Sequence, residues 1–157
     1  MASTDQWVLQ QAYTDTLITL SGFNSLAAGS WVRGSTAVTL GLLDQYGRWS
    51  FSLKVGGTTV AGDYLALYGL PLNTDGTTYG DGVAAGATLP SSAFLLGTCF
   101  VAAGIASGSA IVGSLPFYMP ERSFLFGVAN RTSVALSSSA STGGLSSYAT
   151  FRDNLNA

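Results

Sequence analysis

The chain has 157 residues and a formal net charge of −2, with 9% charged residues against 47% hydrophobic residues and 20 glycines. It has no His, and Cys99, Lys54 and Glu121 are the sole residues of their types. Most enzyme sites need a group that titrates near neutral pH, a thiolate or converging charges, so this composition argues against catalysis and for a structural or binding protein.

The length fits one domain, large enough to bury about 70% of the surface its unfolded form exposes. A pI near 4.6 and six scattered Lys and Arg argue against a nucleic-acid partner, because no basic track could neutralise phosphates. The first residues lack the charged and apolar regions of a signal peptide, and no apolar run is long enough for a membrane span. A mean hydropathy of +0.36 is high for a small monomer, so part of the surface is expected to face a partner.

Residues 4–13 fit a short helix capped by Thr4 or Asp5, or an extended arm carrying Trp7, Leu9 and Tyr13. Residues 14–20 and 38–42 alternate as strands, with Gly22, Asn24, Gly29 and Gly34 as breaks between them. Residues 49–55 alternate throughout and predict a strand with one buried face, Trp49 inward. Gly56 and Gly57 then predict a hairpin or tight connection into an extended segment over 58–70.

The loop 70–82 is the densest polar stretch, with turns expected at Asp75-Gly76 and Asp81-Gly82. Its acids do not fit an EF-hand, which would place Pro71 at the first ligand position and Gly82 at the position of the bidentate Glu. Residues 93–103 form an apolar run, predicted to be a strand buried on both faces with Cys99 as an inert thiol. Strands are further expected over 110–115 and 123–129, a turn at 130–133, and a hairpin pairing 134–140 with 145–151. The whole predicts an all-β fold: an antiparallel β-sandwich, with a jelly roll among its forms, of about eight or nine short strands. Residues 1–24 would be an arm or short helix plus a first strand, and 25–157 the sandwich domain.

No Ser-His-Asp or Cys-His triad can be built without His, and no phosphate-cradling Gly-x-x-x-x-Gly-Lys occurs. Neither a cofactor nor a metal is expected. The candidate interface residues are therefore Trp7, Leu9 and Tyr13 of the arm, with Arg122 beside Glu121. The candidate loop contacts are Asn73, Asp75, Tyr79 and Asp81.

The stretch 119–136, from Met119-Pro120-Glu121-Arg122 through Asn130-Arg131-Thr132-Ser133 to Leu136, followed by small residues up to Tyr148, resembles small virion proteins of tailed bacteriophages. Residues 25–31, 64–69 and 75–79 are similar to the early strand and central strand-loop of those proteins. One departure is Ser133, where such proteins often carry Gly. The resemblance implies a capsid decoration or cement protein on the virion surface, made in the host cytoplasm. It would bind the major capsid protein and itself, as a dimer or trimer. The alternative expectation is a carbohydrate- or receptor-binding tail or fibre component using the loop 73–81.

Overall fold

The structure is a computed structural model that describes residues 16–17, 23–39, 44–83, 85–118, 123–139 and 147–152. Among the described residues nine strands follow in chain order: β1 (Thr16–Leu17), β2 (Trp31–Thr39), β3 (Asp44–Lys54), β4 (Tyr64–Pro71), β5 (Ala85–Gly86), β6 (Phe94–Phe100), β7 (Ala110–Tyr118), β8 (Ser123–Arg131) and β9 (Ser147–Arg152). They form a four-stranded sheet in the order β1-β9-β3-β7 and a five-stranded sheet in the order β5-β2-β8-β4-β6. Every pairing is antiparallel. The expected antiparallel β-sandwich is the observed fold.

The strand partners are nested. β4 pairs β6, β3 pairs β7, β2 pairs β8 and β1 pairs β9, as though one long hairpin had been rolled over on itself. Two cross-pairings, β3 with β9 and β4 with β8, complete the two sheets. This is jelly-roll connectivity, with the two-residue β5 added at one margin.

The main core lies between the sheets. Trp49, Phe51 and Leu53 point inward from β3, Leu65 and Leu67 from β4, and Phe124, Phe126 and Val128 from β8. Each such side chain, fully buried, contributes about 1.5–3 kcal/mol through removal from water. Phe117, Phe124 and Phe126 meet edge to face with centroids 5.0–6.3 Å apart, an arrangement that sets the positive ring edge against the negative ring face. Trp49 is buried as its alternation predicts. Phe23 is also a core residue, one position ahead of the expected domain boundary at 24/25.

Four expectations are corrected. Of the hairpin or tight connection expected at Gly56-Gly57, the hairpin is not formed, because β3 and β4 lie in opposite sheets and the chain crosses from one to the other. Gly34 does not break a strand: it lies inside β2, where the register with β8 shifts between Arg33 and Ala37, so the glycine accompanies a bulge. The hairpin of 134–140 with 145–151 is absent among the described residues. β9 instead pairs with β1 and β3, while Leu136 makes an isolated bridge to Val55.

The fourth correction concerns burial. The apolar run over 93–103 contains β6, which is the margin of its sheet and leaves Phe94, Leu95 and Phe100 exposed. The strand buried on both faces is β8, whose residues from Phe124 to Asn130 are all buried. An apolar run alone cannot distinguish a central strand from a marginal one, since position in a sheet is set by pairing partners far away in sequence.

Candidate functional site

The two sheets differ on their outer faces. On the five-stranded sheet, Trp31, Ala66, Leu70, Leu125 and Ala129 form a second apolar cluster, joined by the half-buried Tyr64, Tyr68, Tyr79, Leu89 and Ala93. Tyr79, Leu89 and Ala93 come from the long β4–β6 connection, which folds back over this sheet. The Trp31 indole N–H donates to Thr88 O at 2.7 Å and pins the connection down. The sheet is therefore apolar on both sides.

On the four-stranded sheet, the outer side of the β3–β7 pair carries Arg48, Ser50, Ser52 and Lys54 beside Ala110, Val112, Ser114, Pro116 and Tyr118. Ser50 and Ser114 hydroxyls lie 3.3 Å apart across the pair. Val112 is 76% exposed there, and Tyr118 is exposed as well. Both β6 and β7 end their sheets, and they lie beside each other along one narrow side of the sandwich. Except for Val60 and Val83 in loops, the exposed large apolar side chains among the described residues all lie on these two strands: Phe94, Leu95, Phe100, Val112 and Tyr118. Neither strand contains a charged residue. A concentration of exposed apolar surface without charge is the physical mark of a contact region.

The expected loop residues are held by their own surroundings. Asn73 donates its side-chain amide to Gly80 O, and its backbone N–H to Thr78 O at 2.7 Å. Asp75 Oδ1 accepts from the Thr77 and Thr78 amides at 2.9 and 2.8 Å. Hydrogen bonds from Thr78 and Thr77, chiefly the Thr78 hydroxyl, pull the Asp75 carboxyl down to about 2 against slight desolvation. Tyr79 places its hydroxyl 3.2 Å from Ser123 Oγ, and Asp81 accepts from the Ser91 amide at 3.1 Å. Gly76 and Gly82 have φ of +72° and +78°, so both expected turns use the left-handed region that glycine enters without strain. Bonds from Asn73, Asp75 and Asp81 shape the β4–β6 connection, and the Tyr79 hydroxyl meets β8 at Ser123.

Trp7, Leu9, Tyr13 and Arg122 lie outside the described residues. Among the described residues no cluster of three or more His, Cys, Asp or Glu could hold a metal ion. Cys99 is half-buried, and desolvation raises its thiol pKa, which disfavours the reactive thiolate.

The strongest polar constellation was not singled out from the sequence. Asp63, buried just before β4, accepts from the Val60 amide (2.9 Å), the Ser133 amide (2.8 Å) and the Ser133 hydroxyl (3.0 Å). Burial pushes this carboxyl up, but the three donors outweigh it and hold the pKa below the ordinary range. Ser133, the departure from the resembled pattern, is thus a two-point ligand of Asp63, and it does not adopt positive φ. Asn130 is wholly buried and uses both ends of its amide: Nδ2 donates to Leu26 O and Val134 O, and Oδ1 accepts from the Thr132 amide and hydroxyl. These hydrogen bonds join the loops that flank β4 and β8.

The β7 margin was also missed, although one signal for it was present. Pro116 within an apolar segment marks a marginal strand, since proline has no N–H and fits a strand where that position faces no partner. Comparison of the chain with family models, curated proteins and solved structures finds no match.

Proposed function

We propose that this protein is a structural virion component, a capsid decoration or cement protein that binds the major capsid lattice and stabilises the head. The observation that carries the reading is the uncharged, apolar narrow side formed by β6 and β7, beside an outer β3–β7 face that carries Arg48 and Lys54 on β3 and no charge on β7. Such a surface binds by close approach of backbones and burial of Leu95 and Phe100 on β6, with few charges to desolvate. A protein that binds the assembled shell in preference to separate subunits stabilises the shell by mass action, and many copies multiply the effect. The resemblance over residues 25–151 to small virion proteins supports the same reading, as does a composition poor in catalytic groups.

The glycan- or receptor-binding reading draws less support, because Asn73 Nδ2, Asp75 Oδ1 and Asp81 Oδ2 are already bonded to backbone of the same connection. The test is co-sedimentation of the purified protein with assembled shells of the virus that encodes it. Saturation at a fixed copy number per shell, with a raised shell melting temperature, is expected. Absence of binding to shells together with glycan-array binding lost in Tyr79→Ala would replace cement by the tail reading.

A further inference from the structure

We infer that β7 is a homotypic edge, and that two copies of this chain pair β7 to β7 antiparallel about a two-fold axis at Val112, joining their four-stranded sheets into one. This is independent of whether the larger partner is a capsid.

Among the described residues, β7 is the one long, regular margin. β1 and β5 have two residues each, and β6 is interrupted by a register shift opposite Leu67 and Tyr68. β7 pairs with β3 without irregularity from Tyr46↔Tyr118 to Lys54↔Ala110, and no described strand pairs with its other side. Proteins usually protect such a margin with Lys, a bulge or a covering loop, because its unpaired amides and carbonyls template another strand. β7 has no charged residue and no bulge, only Pro116.

Pro116 selects the register. Val55 N–H donates to Ser109 O at 3.1 Å, so by the alternation of an antiparallel ladder residues 111, 113, 115 and 117 turn their backbone polar groups toward β3. Residues 110, 112, 114, 116 and 118 turn theirs outward. The side-chain contact between Ser50 and Ser114 agrees, since non-hydrogen-bonded pairs bring side chains closer. Pro116 therefore leaves the β3 ladder intact and deletes one outward donor. A two-fold axis at Ser114 would set Pro116 against Val112 of the second copy and leave a carbonyl without a donor. An axis at Val112 sets Val112 against Val112 and Ala110 against Ser114, and every outward donor and acceptor of these three residues is matched.

The occupant is a second copy because this surface complements itself. The two most exposed valines meet side by side, and the cations stay apart. Extending each row across the joined sheet places Lys54 in line with Ala110, then Ser114 and Ser50 of the second copy, so no like charges face each other. An isologous contact of this kind closes at two copies.

Sedimentation velocity on the full chain, without any shell present, is expected to give twice the 16.1 kDa monomer mass and a melting temperature that rises with protein concentration. Val112→Lys, at a position open to solvent in the monomer, is expected to weaken the dimer by about tenfold or more while leaving the circular dichroism spectrum unchanged. Val112→Cys is expected to form a reducible dimer crosslink more readily than Ser114→Cys, with the wild-type chain controlling for Cys99. A monomeric wild type, a trimer, or a Val112→Lys variant that still dimerises overturns the proposal. Preferential crosslinking through Ser114→Cys overturns the register set by Pro116.

Discussion

Asp63 receives both the amide and the hydroxyl of Ser133, at 2.8 and 3.0 Å, across 70 positions of sequence. The contact ties the β3–β4 crossing to the loop after β8, and Val60 N–H completes the set of donors. A carboxylate is the one common side chain that accepts from all three without presenting a donor of its own.

Asp63→Asn keeps the shape but turns an N–H group toward these donors. The expected loss of stability is about 1–2 kcal/mol, because donors on the exposed Val60 and Ser133 lose a charged acceptor that is itself buried. Ser133→Gly removes only the hydroxyl bond and is expected to cost about 1 kcal/mol. Urea unfolding of both variants gives the comparison, and an Asp63→Asn chain as stable as the wild type would contradict the assigned role.

Acid should weaken the fold through Asp63 and Asp75. Both have folded pKa values below the ordinary 3.8, that of Asp75 at about 2. The unfolded chain therefore takes up protons first as pH falls. Their stabilisation is complete above about pH 4 and declines as pH drops toward 2. Thermal melts from pH 6 to pH 2 are expected to follow this course, with a shallower slope in Asp75→Asn.

Asn130→Ala is expected to cost about 2–3 kcal/mol, because it leaves the buried Thr132 amide without its acceptor and takes one of two donors from each of Leu26 O and Val134 O, which keep the Leu136 amide and the Thr132 hydroxyl. Asn130→Asp should be no milder, since a carboxylate would face two carbonyl oxygens. Chemical denaturation with intact m-values is the measurement.

Gly113 and Val112 are neighbours on β7 with opposite expected sensitivities. A Cβ on Gly113 would run into the Phe51 ring and stand 3.0 Å from Cys99 Sγ. Gly113→Ala is therefore expected to cost about 1–3 kcal/mol through overpacking. Val112→Ala should change monomer stability by about 0.5 kcal/mol or less, because the side chain is 76% exposed. Measuring both at high dilution keeps association out of the comparison.

The Cys99 thiol should react with a disulfide reagent more slowly than free cysteine at pH 8, and at the free rate once the chain is unfolded in guanidinium. Burial raises its pKa and lowers the thiolate fraction. Equal rates in folded and unfolded protein would contradict the placement of Cys99 against the core.

Several strands were legible from short-range pattern. The alternation over 49–55 identifies the inward Trp49, Phe51 and Leu53, and Asp-Gly pairs identify the turns at Gly76 and Gly82. The candidate surface was less legible. Asn73, Asp75 and Asp81 look available in a polar loop, yet each has at least one side-chain polar atom bonded to nearby backbone, which shapes the loop. Ile111 and Val112 are equally apolar in sequence, whereas one is buried and the other exposed because alternate residues face opposite sides.

Composition and local alternation thus decide, without any coordinates, that the chain forms an antiparallel all-β sandwich poor in catalytic groups, because residue chemistry and a period of two are local properties. Which strands are central and which are marginal depended on the nested pairing of β1 to β9, β2 to β8, β3 to β7 and β4 to β6. Those pairings join residues far apart in sequence, and their stability resides in core packing and ladder hydrogen bonds that no short window contains. For that reason the apolar run of β6 and that of β8 read alike as sequence, while the folded molecule exposes one and encloses the other.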